Sequence, residues 1–315
     1  MDKRRTQAPR RLRPTLSPGL EHLEGRRLLA SGAGQIHLQE INASGMTELI
    51  VTGTNRADVI NITDNGTGQA GNITVTEGNG STYTSTGAIS LIEVLGKGGN
   101  DQVSYTLTGN LTSPRSVLVD LGAGNDQFVA NINGAVNNTS GLSMQVYGDA
   151  GNDNITVNQP GAVLAGTFAP YLDGGAGNDT ITYKGSGEVG AGTSVSPGIS
   201  GGSGNDTINA TYTGVIDGDY IYNLAINGGS GNDNITDNVN VEAGSTGTVG
   251  TSSSTPAVVE GGSGNDQVRF AVVVDPSATQ VKVNAYAVGG TGRDVVQRTS
   301  NVQGDKSNES DSVIS

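Results

Sequence analysis

GGSGNDTIN at residues 201–209 returns almost unchanged as GGSGNDNIT at 228–236 and as GGSGNDQVR at 261–269. Working outward from these copies, a Gly-rich turn ending in Asp recurs at Asp58, Asp101, Asp126, Asp153, Asp179, Asp206, Asp233, Asp266 and Asp294. The intervals are 43, 25, 27, 26, 27, 27, 33 and 28 residues, and most fall between 25 and 28. A spacing held that closely is a structural period.

Aligned on the Asp, the copies separate into positions with different tasks. Seven residues before it stand Val51, Val94, Val119, Val146, Leu172, Ile199, Ile226, Val259 and Ala287. Two residues after it stand Ile60, Val103, Phe128, Ile155, Ile181, Ile208, Ile235, Val268 and Val296, so both columns are apolar in every copy. The residues one and three after the Asp are mostly polar, as in Thr180 and Thr182 or Asn234 and Thr236. Apolar and polar residues alternating directly after a tight turn read as a strand with one buried face.

A unit of strand, corner, strand and variable return cannot bury its apolar residues alone. Stacking such units about 4.8 Å apart pairs every strand with the next copy and makes each apolar column continuous. The expected fold is therefore all-β: a parallel β-solenoid of about eight coils of roughly 27 residues, with a two-sided β-roll as the alternative. Insertions are expected in the 43-residue and 33-residue intervals. The expected organisation is a basic leader over 1–32, the solenoid over 33–298 and a polar tail over 299–315.

Composition supports a thin, repeated core. Of 315 residues 50 are Gly, aromatics are 4% and there is no Trp, which leaves little for a thick globular interior. There is no Cys and only two His, His22 and His37, so thiolate metal centres, disulfides and most histidine chemistry are excluded. Net charge is −13, yet residues 1–31 carry eight basic side chains against three acidic ones, which leaves the remainder at −18. A body so acidic repels nucleic acid and attracts cations. No apolar run approaches the length of a membrane-spanning helix.

The corners read GGAGND at 174–179, GGSGND at 201–206, 228–233 and 261–266, and GGTGRD at 289–294, with looser copies at 96–101, 121–126 and 148–153. With the apolar residue two places on, they resemble GGxGxDxUx, the nonapeptide of the haemolysin-type, or repeats-in-toxin, calcium-binding family. That resemblance covers residues 96–296 and implies Ca²⁺ held between neighbouring turns. Carried onto this chain, the implied ligands are the Asp of each turn (Asp101, Asp126, Asp153, Asp179, Asp206, Asp233, Asp266, Asp294) and the turn glycines Gly174, Gly177, Gly201, Gly204, Gly228, Gly231, Gly261 and Gly264. Elementary chemistry points the same way: glycine lets the backbone curl its carbonyls towards one spot, Asp adds a hard anionic oxygen, and Ca²⁺ takes six to eight oxygens.

The competing reading of the same residues is metal-free, because Asp and Asn also close Gly turns by bonding their own backbone. It is preferred at Asp58, where Arg56 and Ala57 replace Gly and Asn. Family repeats run every nine residues in a coil with calcium on both sides. Here one corner per roughly 27 residues favours a wider, three-sided coil with metal along one edge.

LEGRRLLAS at 23–31 resembles the LEPR-XLL segment of large repetitive bacterial surface proteins, with Gly25 in place of Pro. It implies export, and hence an extracellular or cell-surface protein with a structural or adhesive role, calcium as ligand and surface or matrix polymers as partners. A β-helix polysaccharide lyase or epimerase and a carbohydrate-binding module are the alternatives. The few scattered basic residues outside the leader speak against an enzyme. An ice-binding or surface-binding face of outward Thr is also weighed; Thr156, Thr182 and Thr236 share one position but are interrupted by Asn209.

Overall fold

The computed structural model describes residues 35–43, 46–139, 141–217, 221–222, 224–250 and 256–301, together with the pair Arg27–Leu28. The chain winds as a parallel β-solenoid. The strand that follows each corner builds an 11-stranded sheet, and the strand that leads into it builds a 15-stranded sheet. From Asp101 to Asp294 there are eight corners and seven turns between them.

The registers are those that the columns dictate. Ile60 aligns with Val103, Phe128, Ile155, Ile181, Ile208, Ile235, Val268 and Val296 through successive strand pairs. Val51 likewise aligns through Val94, Val119, Val146 and Leu172 to Ile199, Ile226, Val259 and Ala287. Both columns are buried until the last coil, where Ala287 and Val296 are partly exposed. A slip of one residue would turn every one of these side chains outward, which is why the 25-to-28-residue spacing is so closely kept.

The returns form a narrow third side. Leu111, Val136, Val163, Val189 and Ile216 are fully buried and joined by single bridges or a two-strand ladder. The coil is thus the wider form expected from one corner per 27 residues.

Antiparallel hairpins close one end; one precedes the first corner, and the other takes up part of the 43-residue interval. Strands His37–Ala43 and Met46–Thr52 end the longer sheet, and Ile73–Glu77 with Thr82–Thr84 end the other. Glu40 ties the two groups together, its carboxylate accepting from Tyr83 OH, from the Thr86 backbone N–H and hydroxyl and from Gly87 N–H. Beneath the cap, fully buried Asp64 accepts from Arg115 Nε (2.6 Å), Tyr105 OH (2.7 Å) and Gly66 N–H (2.7 Å). At the far end, Val295–Ser300 and Ala285–Thr291 each pair on one side only.

Within the expected leader, Arg27–Leu28 pairs with Glu40 and Gln39; the rest of residues 1–32 lies outside the described residues. Of the expected tail, Thr299 and Ser300 belong to the last strand and Asn301 Oδ1 accepts from Val274 N–H, while 302–315 lie outside. The registers place the extra residues of the 33-residue interval between Val249 and Ala257, of which 251–255 lie outside the described residues. Among the described residues no helix is long and apolar enough to cross a membrane.

Candidate cation site: the corner Asp ladder

The corner aspartates point into the solenoid and stack. Asp101, Asp126, Asp153, Asp179, Asp206, Asp233 and Asp266 are each at most 2% exposed, and Asp294 is 9%. One oxygen of each is committed to the coil before it. Asp58 N–H donates to Asp101 Oδ1 (2.8 Å), Asp101 N–H to Asp126 (2.7 Å), Asp126 N–H to Asp153 (2.7 Å) and Asp153 N–H to Asp179 (2.7 Å). The same bond continues through Asp206, Asp233, Asp266 and Asp294.

The second oxygen, Oδ2, is buried and has no hydrogen-bond partner in seven consecutive corners, Asp101 to Asp266. Beside it lies another acceptor. A Cβ added at Gly201 would stand 2.5 Å from Asp206 Oδ2 and closer still to the carbonyl oxygen of Gly228 in the next coil. The same pair of oxygens borders Gly148, Gly174, Gly228 and Gly261. Two acceptors facing one spot with no donor between them are costly unless a proton or a cation joins them.

The two glycine classes expected at the site serve different purposes. Gly177, Gly204, Gly231 and Gly264 have φ between 133° and 141°, where a side chain would also run into the backbone of the preceding coil. Gly174, Gly201, Gly228 and Gly261 have no positive φ. They are glycine because Asp Oδ2 and the next carbonyl occupy the space of a Cβ. The expectation that curling explains both classes is corrected for these four.

Burial dominates the electrostatics. Loss of water lifts the carboxyls of Asp101, Asp206 and Asp233 from about 3.8 to about 6, and that of Asp153 to about 7. Neighbouring carboxylates push the same way, while the accepted N–H pulls down. Asp126, Asp179 and Asp266 shift upward for the same leading reason.

Asp58 is built differently. Its Oδ2 accepts from the Thr54 N–H at 2.6 Å and its Oδ1 from the Thr54 hydroxyl at 3.3 Å, so the turn satisfies itself, as the Arg56 and Ala57 substitutions suggested.

Sequence reading missed a second ladder on the outside of the same corner. Asn125 N–H donates to Asn100 Oδ1 (2.9 Å), and the pattern repeats through Asn152, Asn178, Asn205, Asn232 and Asn265 to Arg293 N–H. Its bonds run opposite in direction to those of the Asp ladder. The Asn that precedes all but two of the nine corner aspartates was the available signal. Asp237 was also missed: fully buried and with neither oxygen partnered, its carboxyl is pushed well above the ordinary range by desolvation.

The donors at each corner gap are hard oxygens, one anionic, which is the chemistry calcium takes. Among the described residues no three His, Cys, Asp or Glu side chains converge. An ion here would therefore be held by one carboxylate per coil with backbone carbonyls. The chain matches no family model, no curated protein and no solved structure.

Proposed function

We propose that this chain is a calcium-binding repeat protein of the bacterial cell surface or exterior, with a structural or adhesive role rather than a catalytic one. The observation that carries the reading is the run of seven buried, unpartnered Asp Oδ2 atoms, six of them beside a carbonyl of the next coil. Stacked carboxylates about 4.8 Å apart repel by about 1 kcal/mol per pair in water and by a few kcal/mol at an effective dielectric near 20. A dication between coils would reverse that term and couple rigidity to external calcium. Asp101, Asp126, Asp153, Asp179, Asp206, Asp233 and Asp266 would supply the anionic oxygen, and the carbonyl five residues before the next Asp a neutral one. The chemistry a bound ion supplies is charge neutralisation and cross-linking of adjacent coils. The surface assignment is supported by the LEGRRLLAS segment, and the non-enzymatic one by the sparse basic residues of the body. Far-UV circular dichroism and thermal melting in millimolar calcium and in excess chelator test the reading. A rise in melting temperature with calcium is expected; identical curves would refute it.

A further inference from the structure

The outer face of the 11-stranded sheet has a composition unlike the rest of the molecule. Two rows of outward side chains cross all eleven strands in register, one running from Thr82 to Gln297 and the other from Thr84 to Thr299. None of the positions is buried and none is Asp or Glu. Two are basic (Lys184, Arg269), two apolar (Val129, Ala271), and all others are Thr, Asn, Ser or Gln. The outward face of the other sheet, by contrast, carries Glu48, Glu93, Asp120 and Glu260.

Single-column reading of the sequence showed an interrupted Thr series. The structure shows two adjacent columns, extended by the capping hairpins, in which Thr and Asn replace one another without a carboxylate intervening. Several of these groups are fixed by their neighbours. Asn158 Nδ2 donates to Asn131 Oδ1 at 3.0 Å, and Ser104 Oγ to Asn61 Oδ1 at 2.8 Å.

We propose that this face is a docking surface for a neutral, hydroxyl-rich polysaccharide chain. Each row presents donors and acceptors about every 4.8 Å along the solenoid, so an extended polymer of hydroxyls meets many hydrogen-bonding groups at once. The two cations stand in different rows, three strands apart, too few to hold an anionic polymer by charge. The absence of carboxylates keeps this face free of the tightly bound water that acidic groups retain. No aromatic side chain lies in the rows, so affinity must come from length, and short oligosaccharides should bind weakly. The proposal does not depend on what the corners bind.

Co-sedimentation of the full chain with microcrystalline cellulose, chitin and covalently cross-linked alginate beads, with and without chelator, tests it. The parent is expected to sediment with at least one of the neutral polymers and not with alginate. The triple variant Thr156→Glu, Thr182→Glu, Thr236→Glu should lose at least tenfold in binding. Ser116→Glu with Ser143→Glu on the opposite face should lose none. Should the triple Glu variant melt early, Thr→Val at the same three positions retains strand propensity and should give the same loss. Binding to alginate alone, thermal hysteresis without polymer binding, no binding to either neutral polymer, or equal losses from both faces would overturn the proposal.

Discussion

The first corner and the seven that follow occupy the same place in the coil and differ in how the Asp carboxylate is satisfied. At Asp58 both carboxylate oxygens find donors within the turn, because Thr54 supplies an N–H and a hydroxyl. From Asp101 to Asp266 the equivalent position is Lys97, Gly122, Asp149 or Gly and has left-handed φ, and Oδ2 is unpartnered. Lys97 and Asp149 adopt φ of 77° and 68° there, where glycine is otherwise the rule. The repeated corner therefore buys stacking regularity by leaving an anionic oxygen that each coil must neutralise from outside itself, whereas the first corner needs nothing.

The largest expected effect that separates the two corner types is on pH dependence. In chelator, the folded-state pKa values of about 6 to 7 lie above the unfolded value near 3.8. The folded state then binds more protons than the unfolded one across that interval. Its contribution to stability is full below about pH 4 and is lost as pH rises through 6 to 7, on the order of several kcal/mol for the ladder together. Urea midpoints from pH 4 to 8 should fall in chelator and flatten in calcium, which favours the ionised form. Asp153→Asn should reduce the slope.

Backbone substitutions come next. Gly204→Ala forces a side chain into φ of 136° and against the Gly177 carbonyl, and should cost about 3–5 kcal/mol in chemical denaturation. Arg56→Ala, at the same place in the first corner, should change stability by less than about 0.5 kcal/mol.

Removing one charge from the ladder is a smaller change. Asp206→Asn keeps the Oδ1 acceptor for Asp179 N–H and offers an amide donor towards the Gly228 carbonyl. At pH 8 in chelator it should stabilise the chain by about 1–2 kcal/mol and weaken the response to calcium. Asp58→Asn, which removes an acceptor that Thr54 uses, should leave the response to calcium unaltered.

How much of this was legible follows from what repeats. The inward columns and the corner Asp recur in every coil, so their period gave the solenoid and its register before any coordinates. The bond partners were not legible, because they join residues one coil apart: Asp179 N–H to Asp206 Oδ1, or Asn205 N–H to Asn178 Oδ1. The glycines five places before the Asp looked like turn formers, yet they are glycine for want of space. Departures that occur once were invisible to a periodic reading, among them Arg115 in a buried ion pair with Asp64 and Asp237 in an apolar column. The acid-free face also needed the register, since its two columns are each irregular and only together continuous.

Calorimetric titration of the folded chain with calcium near pH 8 tests the central claim most directly, because it counts what the ladder holds. Several ions per chain are expected, up to one for each of the seven gaps between Asp101 and Asp294, with fewer in Asp153→Asn and Asp206→Asn. An absence of binding heat, or a stoichiometry that those substitutions leave untouched, would contradict the account.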